Sequence, residues 1–261
     1  MRKRIFPLAL VAAVAGAWCA RASASPWTAA QVRERIRGDG TLARPNLSGL
    51  DLSDLDLSEV DFRRASLVGA NLFGARLVSS NLSGADLTRA NLNGAWLMGT
   101  DFSGASLVGS MLMSVVVLGG QVTARPIFAG ADLSGARVIA EFPGVDFRHA
   151  RLSGANLGVD IKNQGMGQMR TNLSGARLTG ADLSGADLNR SLLEFTDLSA
   201  TNLAGAVLFR AKMAGADLRG AHVAGADFTE ADLDGANFTG VQGLPAAKGL
   251  DTATHRDRAI W

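Results

Sequence analysis

Apolar and polar residues recur with a period of five from Pro45 to about Gly240, as in Ala85-Asp86-Leu87-Thr88-Arg89, Ala90-Asn91-Leu92-Asn93-Gly94 and Ala181-Asp182-Leu183-Ser184-Gly185. A helix does not tolerate that period. Five steps of about 100° carry each leucine about 140° round from the last, over every face. A straight strand fails too, because an odd period sends consecutive leucines to opposite sides of a sheet. A chain that extends for three residues and then turns a corner satisfies it. Leucine and the alanine two before it then point inward, the residue between them points out, and the tract winds into a solenoid. Leu or Phe fills the lumen, Ala fits a crowded corner, Asp and Asn suit turning backbone, and Gly tolerates the bend.

The inward centres run in step from Leu47, Leu52, Leu57 and Phe62 through Leu87 and Phe102 to Val117. The step breaks over 118–130, resumes at Leu133 and Val138, loses one residue before Phe142, and continues to Leu157. Eleven residues, Asp160 to Arg170, fall outside it, and a last run leads from Leu173 through Leu183, Leu218 and Phe228 to Phe238. Val117 to Leu133 and Leu157 to Leu173 each span sixteen residues, three units plus one. That arithmetic predicts a one-residue bulge at each break. The segment 160–170 reads as a surface loop, with a binding loop as the alternative.

The ends differ from the tract. Arg2, Lys3 and Arg4 precede an uncharged stretch from Ile5 to Ala20, and Ala22-Ser23-Ala24 offers small residues for cleavage. Residues 1–24 therefore read as a secretory signal peptide, too short and interrupted for a stable membrane span. Residues 25–44 predict a short capping helix and linker. Thr28 or Ser25 is the candidate N-cap, Val32 and Ile36 share one face, and Gly38-Asp39-Gly40 ends it. Its arginines read as a solvated face. Residues 45–240 are the solenoid, and 241–261 are expected to form a C-terminal cap and flexible tail.

The units, written A-(D/N)-L-(S/T)-x, resemble those of the pentapeptide repeat proteins. The resemblance covers about three quarters of the chain and implies an all-β fold, a right-handed quadrilateral parallel β-helix with one pentapeptide per side. At ~4.8 Å per coil, some ten coils make a rod on the order of 45–50 Å long. Some members imitate duplex DNA and protect DNA gyrase from quinolones, using a strongly acidic rod and a dimer formed through the C-terminal coil. The resemblance thus implies, as an alternative function, a DNA mimic that binds gyrase or topoisomerase.

Charge bears on that alternative. The chain carries 26 basic and 24 acidic residues; losing Arg2, Lys3, Arg4 and Arg21 leaves 22 basic, or a net −2. A near-neutral product is neither a nucleic-acid binder nor an acidic mimic. Cleavage also removes Cys19, the single cysteine, and with it any thiol nucleophile. His149, His222 and His255 lie far apart, and the many Ser and Asp residues belong to the repeat. No cofactor, metal or catalytic residue is expected. Residues twenty apart share a face, so Arg177, Asp197 and Asp217 stack, as do Lys212 and Asp232, in the mixed-sign pattern of an ordinary soluble surface.

The same rule stacks Arg76, Trp96 and Val116 outward, beside Val78, Met98 and Leu118, with Phe73, Met111 and Met113 in a neighbouring column. These positions are usually polar, and here they form an apolar stripe. It reads either as a site for a protein partner or a second copy, or as a surface covered by Leu118–Gly130. The expected function is a non-enzymatic solenoid, periplasmic or secreted, serving as a structural or protein-interaction element of the cell envelope.

Overall fold

The computed structural model describes residues 27–38, 44–118, 124–159 and 170–261. The signal-peptide residues 1–24 and most of 160–170 lie outside them. The tract winds into stacked coils joined by parallel bridges along four walls, which start at Asn46, Asp51, Asp56 and Asp61. Where the unit length is kept, each bridge pairs a residue with the one twenty further on, as in Asn46 with Ser66 and Asp61 with Asn81.

The pentapeptide is explained by where its five amide protons go. In Ala-Asx-Leu-Ser-Gly order, the leucine N–H donates to the Asx carbonyl of the next coil, as Leu47 to Ser66 at 2.7 Å. The fifth-position N–H donates to the next coil's fourth carbonyl, as Gly49 to Val68 at 2.9 Å. The second-position N–H points back to the first carbonyl of the coil before, as Ser66 to Pro45 at 2.8 Å. The first N–H closes a turn onto the preceding centre, as Ala65 to Phe62 at 2.9 Å. That leaves the fourth N–H, which no backbone reaches. The Asx side chain accepts it, as Asp51 does from Ser53 at 3.2 Å and Asp182 from Ser184 at 3.0 Å. No backbone donor of the unit is left over. The fifth residue must adopt positive φ to turn the corner; Gly84 does so at 64°, and Asp54, Arg89 and Phe195 do so without being glycine.

Leucine centres and first-position alanines are buried throughout, including Leu47, Leu87, Phe102, Leu183, Leu218 and Phe228. Most hydroxyls that replace alanine bond a centre carbonyl of the previous coil, as Ser80 to Leu57 at 2.7 Å and Thr196 to Leu173 at 2.8 Å. Ser110 Oγ departs from this, buried with no hydrogen-bond partner, and Thr201 bonds Leu198 of its own coil. Phe102, Phe128 and Phe147 stack along the tube with centroids 4.8 and 4.9 Å apart, and Phe142 meets the last two edge-on.

Neither break is a one-residue bulge. Asp101 pairs with Ile127 and Met111 with Arg137, so that coil holds six extra residues, and Gly99 bonds Ala124 where Leu118 would stand in the repeat. Val117 to Leu133 is therefore two units plus six. Glu141 pairs with Asn172 and Asn156 with Asp187, a coil with eleven extra residues. Leu157 to Leu173 is one unit plus eleven, because Val159 still holds the fifth position and Thr171 the first. The bulge arithmetic failed because sixteen divides in several ways, and the lumen accepts the division that keeps every centre inward.

Between those coils, the unit from Val138 to Phe142 lacks its fifth residue. Without that left-handed corner the backbone runs straight, and strands β1 (Met111–Met113) and β2 (Arg137–Ile139) pair over three consecutive residues. On the third wall the ladder then skips a rung. Trp96 bridges Val116 and Glu141 bridges Asn172, but no bridge joins Val116 to Glu141 among the described residues. An open crevice of roughly 590 Å³ lies there, lined by Ser114, Val115, Ile139, Ala140, Glu141, Arg170 and Leu192.

Helix α1 (Ala29–Arg37) starts at Thr28, whose hydroxyl accepts from the Gln31 amide while Gln31 reaches back to the Thr28 N–H. Val32 is fully buried against the first coil. Two of its arginines also bond the first coil. Arg33 donates to the Ser58 carbonyl at 3.1 Å and Arg35 to the Asn46 carbonyl at 2.8 Å. At the other end, residues 241–261 are not a flexible tail. Gln242, Lys248, Thr254 and Ile260 bridge His222, Asp227, Asp232 and Asn237, completing one more coil.

Candidate functional site

On the third wall, Arg76, Trp96 and Val116 stand one coil apart and in register. Trp96 points out of the tube, with the Arg76 guanidinium 4.7 Å from its ring centroid. Such a cation over an indole face holds the ring flat against the wall. Two residues of the expected stripe are not exposed: Val78 is 9% and Met98 3% accessible, whereas Leu118 is 44%. Met98 follows Val78 in one outward column, but Ala124 and not Leu118 takes the next place in it, since the Gly99 N–H donates to the Ala124 carbonyl. Val78 and Met98 are a floor, and the outward apolar surface is Trp96, Val116 and Leu118.

The neighbouring wall adds Phe73, 50% accessible, and Met111, 38%. Arg137 Nε donates to Met113 Sδ at 3.3 Å, fixing that side chain along the wall. Whether 118–130 covers the stripe is answered only for its described part: Ile127 sits in the fourth wall and Phe128 inside the lumen.

Sequence reasoning missed a second exposed aromatic. Phe195 occupies the glycine position with φ 56°, and its side chain is the most exposed large apolar one described. Its ring lies across Gly215, where an added Cβ would stand 2.6 Å from the ring. The signal was present, since Phe in the fifth position of a unit is a misfit on its face. Phe209 lies nearby in sequence, under the Arg210 guanidinium at 4.9 Å.

Several acids on the outer walls face a cation. Asp146 is nearly buried between Arg148 at 2.8 Å and Arg177 at 3.0 Å. The Arg148 hydrogen bond, the largest influence, holds the Asp146 carboxyl below its ordinary range, against burial and with help from the Arg148 amide and both positive charges. Asp61 with Arg63 and Asp217 with Arg219 repeat that local pair. Lys212 meets Asp232 across coils at 3.3 Å, as stacking by twenty requires, and Arg210 meets Glu230 at 2.6 Å. His149 and His222 are outward and separate, and His255 bonds Asp232. Among the described residues, no three His, Cys, Asp or Glu stand where a metal ion could be held.

A four-walled parallel solenoid with a five-residue unit is the class that this geometry defines. The description Pentapeptide repeats matches in eight copies, over residues 42–77, 65–104, 171–208, 186–223 and 211–242. The chain belongs to the pentapeptide repeat family. Among solved structures it is similar to HetL of the cyanobacterium Nostoc, a pentapeptide repeat protein involved in heterocyst differentiation regulation. That match has 30% identity over 87% of this chain and 97% of that one, with a TM-score of 0.46. It is similar to QnrB1, a plasmid-mediated fluoroquinolone resistance protein, at 22% identity over 70% of this chain and 89% of that one, TM-score 0.41. A third, Rfr23 of the cyanobacterium Cyanothece, has 32% identity over 46% of this chain and 90% of that one, TM-score 0.32. A comparison with curated protein sequences gave no match.

Proposed function

We propose that this protein is an exported, non-catalytic scaffold of the cell envelope that docks a protein partner on its third wall around Trp96. The observation that carries the reading is Trp96 itself, an indole under the Arg76 guanidinium with Val116 in register one coil on. Polar residues usually occupy such positions, and a rigid aromatic surface concentrates interface energy at low entropic cost. Pentapeptide repeat proteins are in general structural or interaction proteins. Export rests on the order of charges, apolar stretch and small residues in 1–24. Among the described residues, no helix is long and apolar enough to cross a membrane. We take the winding to be right-handed, the hand of parallel crossovers generally.

The gyrase-binding alternative is the weaker reading. A mimic of duplex DNA needs unmatched negative charge, and here Asp61, Asp146, Asp217 and Asp232 each face a cation.

The test is Trp96→Ser in the full chain, captured from envelope extract beside the unaltered protein. Loss of a specific co-purifying protein, with β-rich circular dichroism unchanged, is the expected result. Equal capture by both proteins would remove the third wall from consideration.

A further inference from the structure

The bonding scheme of the pentapeptide gives the tube a polarity. Each unit sends two N–H groups toward the C-terminal end and one toward the N-terminal end. A bare first coil therefore presents mostly carbonyls, and a bare last coil mostly amides. Two such edges are complementary, so an uncapped rod is a template for head-to-tail growth by further copies.

Both ends carry the chemistry that blocks this. The carbonyls of Asn46 and Ser58 are of the kind that an upstream coil would bond, and Arg35 and Arg33 of α1 occupy them. Val32 covers the lumen behind them.

The C-terminal end changes period. Val241-Gln242-Gly243-Leu244-Pro245-Ala246, Ala247-Lys248-Gly249-Leu250-Asp251-Thr252 and Ala253-Thr254-His255-Arg256-Asp257-Arg258 repeat every six residues. Gly243, Gly249 and His255 stand where leucines would, all with positive φ, so the chain turns there instead of extending. The extra residue folds each side into a tight turn. The N–H groups of Ala246, Thr252 and Arg258 bond within their own units, and those of Ala247 and Ala259 bond the unit just before, each to a carbonyl three residues back. Pro245 has no N–H to offer. Trp261 closes the lumen, stacked on Phe238 at 4.8 Å. The coil bridges the five-residue coil before it, but its turned centres leave no extended edge for a further copy to continue.

We propose that α1 and the six-residue coil are paired terminators, and that the edges beneath them form a latent interface for a second copy of this chain, head to tail. The experiment uses three full-length proteins. The N-edge variant is Arg33→Met with Arg35→Met, which frees the two carbonyls and keeps the apolar stems. The C-edge variant deletes Pro245, Asp251 and Asp257, resetting the period to five. The third is the unaltered chain.

In sedimentation velocity each protein alone is expected to be free of end-to-end rods. An equimolar mixture of the two variants should form a species of twice the mass that grows no further. A chain carrying both sets of changes should form rods that lengthen with concentration. Rods formed by the unaltered chain, or a mixture that stays unassociated while both variants keep β-rich circular dichroism, would overturn the proposal. If the N-edge variant loses its β signal, Arg33→Met alone, which frees only the Ser58 carbonyl, takes its place in the mixture.

Discussion

Asp182 shows how much a single outward residue contributes to this fold. Its carboxylate accepts from the Ser184 amide and from Asn202 Nδ2, both at 3.0 Å. By pattern alone Asp182→Ala is a surface change of roughly 0.5 kcal/mol or less. The lost amide bond resembles a lost helix cap, so we expect about 1 kcal/mol. Leu183→Asp should cost several kcal/mol, because an unpaired carboxylate would enter a closed lumen. Urea titrations of both variants check the order, and equal midpoints would show the walls assigned the wrong way round. Gly215→Ala is a second test at this scale. It meets the Phe195 ring and strains a residue at φ 65°, a backbone cost of roughly 1–2 kcal/mol. Phe195→Ala should relieve only the ring contact, so a double-mutant cycle should show partial rescue.

At the scale of a wall, acids and cations stacked between coils make stability depend on pH. Burial opposes ionisation of Asp146, but its hydrogen bonds and the two arginines hold its folded pKa below the ordinary value of 3.8. A carboxylate with a depressed folded pKa adds stability that is fully present above the unfolded value. That contribution disappears as pH falls through the folded pKa. Asp51, Asp197 and Asp232 shift in the same direction, so the acid limb is shared. Melting temperature should be flat above about pH 5 and fall below about pH 4, where ordinary carboxylates titrate. Asp146→Asn should lower the plateau and shallow the fall. An unchanged acid limb in that variant would place its source elsewhere.

For the whole molecule, the open issue is where it works. Cleavage after Ala24 would remove Arg2, Lys3, Arg4 and Arg21 and leave a product of net charge −2. Intact-mass measurement after cell fractionation should find the chain starting at Ser25 outside the cytoplasm. A cytoplasmic product that retains Arg2 to Ala24 would reject export and reopen the gyrase alternative. At either location the rod is stiff, since successive coils share a ladder on each wall wherever the unit length is kept.

The sequence by itself determined which residues of the unit face the lumen, and its resemblance to the pentapeptide repeat proteins implied that four sides close a coil and that residues twenty apart stack. It could do so because every unit meets the same neighbours, so a local period carries a global rule. Trp96 outward and Leu183 inward follow from that rule alone. The tertiary structure decided what the period leaves open. It showed that the two sixteen-residue intervals hold six and eleven extra residues, that the missing residue before Phe142 opens a wall, and that Val78 and Met98 are buried. It also gave Arg33 and Arg35 carbonyls to bind and laid 241–261 down as a coil. These are choices of register between segments 19 to 31 residues apart. Register is set by which side chain fills the lumen beside the coil above, and only the packed molecule brings those two coils together.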